Sequence, residues 1–287
     1  MNRRHFLSVA GASCVAPALV VPAYAKPRLR TAICAYSFRK EFVAKTLSYE
    51  DLVRKCVDWD VDGLDLTVYW FPSSGPEFTL PIRRLAYQLG VELYSISVRS
   101  ELTRAEAGQR DAEVASLEKW VDVANALGAS HIRVFGGNVP KGATEEQAVP
   151  WVVECLKRAS DKAAKSGVIL GLENHGGITT RAERIIEIVK KVDSPYVRVN
   201  MDTGNFRSDV FAQIGMVLPY AANVQVKVEM VGDDGKKVPQ DWTRIVDMMA
   251  KAEYKGYLAL EYEAAEPALE AVPRLMGKLR ELTRPHY

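Results

Sequence analysis

Cysteine is scarce in this sequence, with four in 287 residues, and their wide spacing forms neither a disulfide framework nor a C-x-x-C metal knuckle. Cys34, Cys56 and Cys155 each lie in an apolar stretch and read as buried free thiols. A long apolar run is missing after the first 25 residues, so no later segment is suited to span a bilayer. Basic blocks and aromatic-basic interleaving are absent too, which argues against a nucleic-acid partner, because a phosphate backbone demands a concentrated positive surface. A glycine-rich phosphate turn after an early strand is also lacking. The pair Gly136-Gly137 is too little to replace it, and an open doubly wound sheet thereby loses its usual signature.

What is present begins with Arg3-Arg4-His5-Phe6-Leu7, followed by a small, acid-free apolar run that ends at Ala23-Tyr24-Ala25. Residues 1–25 read as a cleavable signal, and the adjacent arginines resemble a twin-arginine export signal, so a periplasmic or otherwise extracytoplasmic location is expected. Pro17 and Pro22 interrupt the run and argue against an uncleaved anchor, and Gly11-Ala12-Ser13 before Cys14 lacks the bulky aliphatic residue of a lipoprotein site. Removing 25 residues from 287 leaves 262, residues 26–287, which suits one barrel of about 250 residues. Arg3 and Arg4 go with the signal, so the 38 basic residues become 36, equal to the 36 acidic ones. A chain without net charge fits a small, neutral ligand. Homo-oligomerisation is left open.

From Arg30 onward, short β-rich apolar runs alternate with amphipathic stretches, the pattern of parallel βαβ units. Eight strands are predicted, at 31–37, 63–68, 92–98, 131–134, 168–173, 197–201, 223–228 and 257–261. The expected fold class is therefore α/β, a single (β/α)8 barrel. Ser48 ahead of Glu50 and Asp51 reads as a helix cap, and Gly128 and Gly167 stand where helices at 111–127 and 144–166 should stop. Pro150 predicts that the second of these begins near residue 150. Further helices are expected at 240–253 and 267–282.

In such a barrel the chemistry gathers where strands end and βα loops begin. Four late strands end in acids or amides: Glu173-Asn174-His175, Asp202-Thr203-Gly204-Asn205, Gln225-Val226-Lys227 and Glu261-Tyr262-Glu263. Strand alternation points Glu173, Gln225 and Glu261 inward. Three acids meeting at an apolar mouth oppose one another's ionisation. A divalent cation on Glu173, Asp202, Gln225 and Glu261 would resolve the conflict, and oxygen-dominated ligation favours magnesium or manganese. Arg133, Asn205 and Glu263 are candidate hydroxyl-binding residues, and Trp70-Phe71-Pro72 could form an apolar wall over a sugar or pack on its own barrel.

The stretches Gly171-Leu172-Glu173-Asn174-His175-Gly176-Gly177, Asp202-Thr203-Gly204-Asn205-Phe206 and Leu260-Glu261-Tyr262-Glu263 resemble the sugar phosphate isomerase/epimerase superfamily, the xylose isomerase-like barrels. The resemblance extends from about Thr31 to the C-terminus. It implies that Glu173, Asp202 and Glu261 are metal ligands and that the two glutamates move protons. Gln225-Val226-Lys227 departs from it, because the superfamily usually has His-x-Lys there. Endonucleases of the same fold need many histidines, whereas this chain has four, His5, His131, His175 and His286. Of these only His175 is a site candidate, and His131 is expected to face a structural partner at the other end of the barrel.

The expected mechanism is proton abstraction beside a metal-polarised carbonyl of a sugar, keto sugar or polyol derivative, giving an enolate. Glu173 or Glu261 would be the base, Lys227 would stabilise the oxyanion and His175 would shuttle protons. Reprotonation gives an isomerase or epimerase. With a β-leaving group, as in a 3-keto glycoside or an inosose-type substrate, the same site becomes a lyase, and export favours that outcome. An exported sugar-binding barrel without catalysis is the third reading, encouraged by Gln225.

Overall fold

In the computed structural model the described residues are 26–287 apart from residue 233; the export-signal expectation for residues 1–25 lies outside them. Eight parallel strands close a barrel: β1 (Arg28–Cys34), β2 (Gly63–Thr67), β3 (Glu92–Ser97), β4 (His131–Val134), β5 (Ile169–Glu173), β6 (Val197–Asp202), β7 (Ala221–Val226) and β8 (Lys255–Leu260). Each pairs with its neighbour in sequence, and β8 returns to β1 with Ala32 opposite Ala259. The predicted strands all occur. The first ends earlier than expected because Ala35–Phe38 turn into a 3-10 helix. The seventh ends at Val226, where the chain leaves the barrel for a hairpin of Glu229–Val231 and Lys237–Pro239 that the sequence pattern does not announce.

The helices obey their caps. Ser48 and Asp51 form a reciprocal capping box, with the Asp51 amide donating to Ser48 Oγ at 3.1 Å and the Ser48 amide to Asp51 Oδ2 at 3.2 Å. One expectation is corrected: the helix Glu145–Ser166 starts well before Pro150. Thr144 and Gln147 cap it reciprocally, and Pro150, six residues in, forfeits only the bond to the Glu146 carbonyl in the first turn. The last two helices are Trp242–Lys251 and Ala268–Thr283, slightly displaced from the predicted ranges.

Outward strand residues such as Ile33, Leu64, Leu66, Ile96, Leu170, Leu172, Val199 and Met201 are fully buried beneath the helices. The barrel interior is layered. At the amino ends of the strands Tyr94 stacks on Tyr257, with centroids 3.9 Å apart, between Ala32 and Ala259. Above them lies a polar layer: Tyr94 donates to Asn223, Asn223 to Asn200, and Asn200 to Gln225 Oε1, at 3.1, 2.8 and 2.7 Å. Side-chain bonding of this kind satisfies groups that would otherwise be costly to bury. The charged residues form the top layer. No helix among the described residues is long and apolar enough to cross a membrane. Cys34, Cys56 and Cys155 are buried and free, as expected.

Candidate active site

The carboxyl ends of β4 to β8 bring most of the expected residues to one mouth. Arg133 from β4 approaches Glu173 from β5, Nε to Oε2, at 2.9 Å. The alignment is not that of a hydrogen bond, so the contact is charge to charge. The guanidinium also donates to the Val98 carbonyl at 2.9 Å and to the Tyr69 hydroxyl at 3.1 Å. Asn205 donates to Glu173 Oε1 at 3.2 Å. Glu173 thus stands behind Arg133 and Asn205.

Lys227, just past β7, is the centre of the other half. Its Nζ lies 2.9 Å from Glu261 and 3.4 Å from Asp202, and it pairs with Glu263 as well. The local chain fixes this position. The Lys227 amide donates to Thr203 Oγ1 at 3.0 Å, and its carbonyl accepts from Trp242 Nε1 at 2.7 Å. A β-carbon on Gly204 would fall 2.6 Å from Lys227 Cγ, so only glycine lets the lysine stem pass. Asp202 is held in turn: Oδ1 accepts from the Gly204 amide at 2.8 Å, while Asn174 exchanges two bonds with the Asp202 backbone.

Burial sets the protonation of this cluster. Four acids, Asp65, Glu173, Asp202 and Glu261, are buried, yet only Arg133 and Lys227 are buried with them as cations. Burial would raise Glu261, but Lys227 and then Arg133 outweigh it and hold its carboxyl below the ordinary range. Burial lifts Asp202 to about 7 against the pull of Lys227, and Asp65 to about 6 against Arg133 and Ser97. Glu173 also moves upward despite Arg133, while the arginine moves upward because of Glu173. One guanidinium, divided among Glu173, Glu261 and Asp65, supplies too little positive charge to offset the burial of the Glu173 carboxyl. Asp202 is therefore partly protonated at neutral pH. Although His175 is exposed as a residue, enclosure of its ring by the cleft wall and then Arg133 depress it to about 4, so the imidazole, tilted against Phe135 with centroids 3.9 Å apart, is neutral.

The cleft enclosed at the mouth has a volume of about 180 Å³. Arg133, His175, Asn205, Lys227, Glu261 and Glu263 line it, together with Tyr36, Tyr69, Arg99 and Phe135. Trp70 stands outside it, stacked on Phe42 and Tyr36. Tyr36, Tyr69, Arg99 and Phe135 escaped the sequence reading because they lie just past early strands whose last residues, Cys34, Thr67, Ser97 and Val134, are neither acids nor amides. Asp65 was legible, as an acid between Leu64 and Leu66 in an otherwise apolar strand. His131, by contrast, bonds Ser95 at 2.8 Å as a buried structural partner, and burial holds it down at about 3.

The expected metal seat does not fit this donor set. Among the described residues no group of three or more His, Cys, Asp or Glu side chains is arranged to hold an ion. Gln225 turns its oxygen to Asn200 one layer below, and its Nε2 faces Asp65 at 3.5 Å. The ammonium of Lys227 and the guanidinium of Arg133 occupy the positions from which a cation would neutralise Glu173, Asp202 and Glu261.

The family model described as xylose isomerase-like TIM barrel matches residues 53–282. No curated protein is similar to the chain at a significant level. Among solved structures, a D-psicose 3-epimerase with D-tagatose from Clostridium cellulolyticum H10 is 17% identical, with a TM-score of 0.69 over 89% of this chain and 91% of that one. The 3-keto-D-glucoside 4-epimerase of E. coli is 13% identical, with a TM-score of 0.71 over 89% of this chain and 100% of its own. A xylose isomerase-like TIM barrel protein from Mycobacterium smegmatis, in complex with magnesium, is 16% identical, with a TM-score of 0.71 over 90% and 97%. At these identities the likeness is one of fold.

Proposed function

The chain belongs to the xylose isomerase-like TIM barrel family, and from that premise we propose that it is a carbohydrate isomerase or epimerase that removes a proton from the carbon next to a substrate carbonyl. The observation that carries this reading is Glu261, an ionised carboxylate in the wall of a small polar cleft, kept charged by Lys227 and Arg133. Glu261 is the base. Lys227 and Arg133 both line the cleft and supply positive charge where the enolate oxygen develops. Asn205, Glu263 and neutral His175 offer donors and acceptors to hydroxyl groups, and His175 can pass a proton between oxygens. With the Gln225 oxygen engaged by Asn200 and the Lys227 ammonium against Asp202 and Glu261, the set Glu173, Asp202, Gln225 and Glu261 does not suit a magnesium or manganese ion.

A lyase is the second reading, favoured by one observation. Of the two glutamates at the strand ends only Glu261 lines the cleft, whereas inversion at one carbon is served best by two groups touching opposite faces. In elimination Glu261 takes the proton, the C–H electron pair becomes the new double bond, and the β-substituent leaves with its own bonding pair. The signal-like residues 1–25 support an extracytoplasmic location for either enzyme, which fractionation of the native host checks.

Keto sugars and 3-keto glycosides incubated with the protein in heavy water, followed by NMR, test the proposal. Exchange at the carbon next to the carbonyl is expected, and Glu261→Gln should slow it by about 10²–10⁴-fold, the usual contribution of a general base. Unchanged exchange in that variant, or none in the wild type across the panel, would overturn the assignment. Release of an aglycone would select the lyase.

A further inference from the structure

The cleft at Glu261 shares a wall with a second, larger one. The inner volume of about 180 Å³ is below the roughly 300–1,000 Å³ that buries a drug-sized ligand, so it accommodates a single monosaccharide ring. The outer cleft measures about 680 Å³. Tyr36, Tyr69 and Arg99 line both, so the two clefts adjoin.

The outer part has a chemistry of its own. Trp70 lies parallel to Phe42, 4° apart at 5.3 Å, and stacks on Tyr36 at 5.9 Å, so neighbouring rings hold its ring in place. Arg39, Lys40 and Arg99 surround it, and no carboxylate lines the cleft. Arg39 donates to the Tyr262 carbonyl at 3.0 Å and Arg99 lies over the Tyr69 ring at 4.4 Å. Among the described residues none of these three cations forms an ion pair, whereas Arg110, Arg158 and Arg184 on the outer helices each pair with carboxylates. Three uncompensated cations around a fixed aromatic face complement a ring that carries an anion.

We infer that the outer cleft is a second subsite for an anionic ring, a carboxylate-bearing sugar or aryl group joined to the sugar unit in the inner cleft. The inference rests on the proposed function in taking the inner ligand to be a sugar. It gives the substrate class as an acidic glycoside, with its charge read by Arg39, Lys40 and Arg99.

Binding is measured in the exchange-deficient Glu261→Gln protein by calorimetry and tryptophan fluorescence, so that it is independent of turnover. The probes are 4-carboxyphenyl β-glucoside, phenyl β-glucoside and 4-hydroxybenzoate. The carboxylated glucoside should bind roughly fivefold or more tightly than the phenyl glucoside at low salt, the scale of solvent-exposed charge contacts. That advantage should shrink in high salt and vanish in Lys40→Gln/Arg99→Gln, and the fluorescence change should vanish in Trp70→Phe. Equal affinities for the two glucosides, an advantage that survives the double substitution, or no binding of any probe would overturn the subsite. 4-Hydroxybenzoate binding as tightly as its glucoside would also overturn it, by making the outer cleft a free-anion site. Absence of C–H exchange in the wild type with intact charge-selective binding would instead refute the catalytic reading alone.

Discussion

Replacing Lys227 with Met keeps most of the side-chain volume and deletes the ammonium that stands 2.9 Å from Glu261 and 3.4 Å from Asp202. Removing one partner of a buried pair costs about 3–5 kcal/mol, unless the abandoned carboxylates take up protons. Here they will. Asp202 titrates at about 7 with Lys227 in place, and without the ammonium it titrates higher. The folded variant then holds a proton that the unfolded chain, with ordinary carboxyl groups, releases near pH 4. A folded-state carboxyl that binds its proton more tightly loses stability as pH rises, by about 1.4 kcal/mol per pH unit and per proton. Near pH 7 the wild-type Asp202 is about half ionised, so from about pH 7 to about pH 9 it sheds only about half a proton, worth roughly 0.4 kcal/mol. The deficit of Lys227→Met should therefore widen by up to about 2 kcal/mol over those two units. Urea unfolding of both proteins at the two pH values, followed by circular dichroism, measures it. An equal deficit at both would refute the reasoning, because Lys227 would then not be compensating buried carboxylates.

Asp65 gives a prediction of the same sign elsewhere in the barrel. Its carboxyl is raised from 3.8 to about 6 by burial, so wild-type stability should fall as pH climbs from about 4 to about 6. Asp65→Asn should remove that slope and gain up to about 3 kcal/mol near pH 7, and an unchanged slope in pH-dependent unfolding would count against it. Gly171 abuts His131, whose Nε2 would lie 2.2 Å from a β-carbon there. Gly171→Ala should cost about 1–3 kcal/mol through overpacking, and thermal unfolding at wild-type temperature would contradict this. Calorimetric titration with magnesium or manganese should give no stoichiometric binding to the wild type and measurable binding to Gln225→His/Lys227→Met, the substitution that restores a nitrogen ligand and removes the competing cation. Chelator-sensitive, stoichiometric metal in the wild type would overturn the donor-set argument.

The barrel was legible because its signals are local and repeated. β-branched runs, hydroxyl caps such as Ser48 and stop glycines such as Gly128 and Gly167 act within a few residues of themselves, and each was satisfied in the fold. Pro150 misled because a proline near residue 150 is weighed without the cap at Thr144 that had already nucleated the helix. In the site, strand-end placement brought Glu173, Asp202, Lys227 and Glu261 together as expected, since alternation along a strand is also local. What the sequence left hidden was which charge answers which. Lys227 and Gln225 are two residues apart, yet Lys227 rises to Glu261 while Gln225 turns down to Asn200, a choice made by partners on β6 and β8. Arg133 likewise could be read only as a hydroxyl binder or a structural pair; its neighbour Glu173 is 40 positions away.

These choices depend on one another. A glutamine at position 225 can both accept from Asn200 and face Asp65, which ties the middle layer of the barrel together from Tyr94 to Asp65. A side chain so occupied cannot also turn upward as a ligand. With that position withdrawn, the remaining donors are carboxylates that still need positive charge, and the nearest source is the lysine two residues on, whose stem passes over Gly204. Lys227 is held charged by the three carboxylates around it despite its burial, and the same ammonium keeps Glu261 ionised. The proposed base and its counter-charge are thus a single device. A change at Gln225 that drew its side chain upward would have to displace Lys227 from Glu261, and so would alter the basicity of that carboxylate even if the substituted residue never touched a ligand.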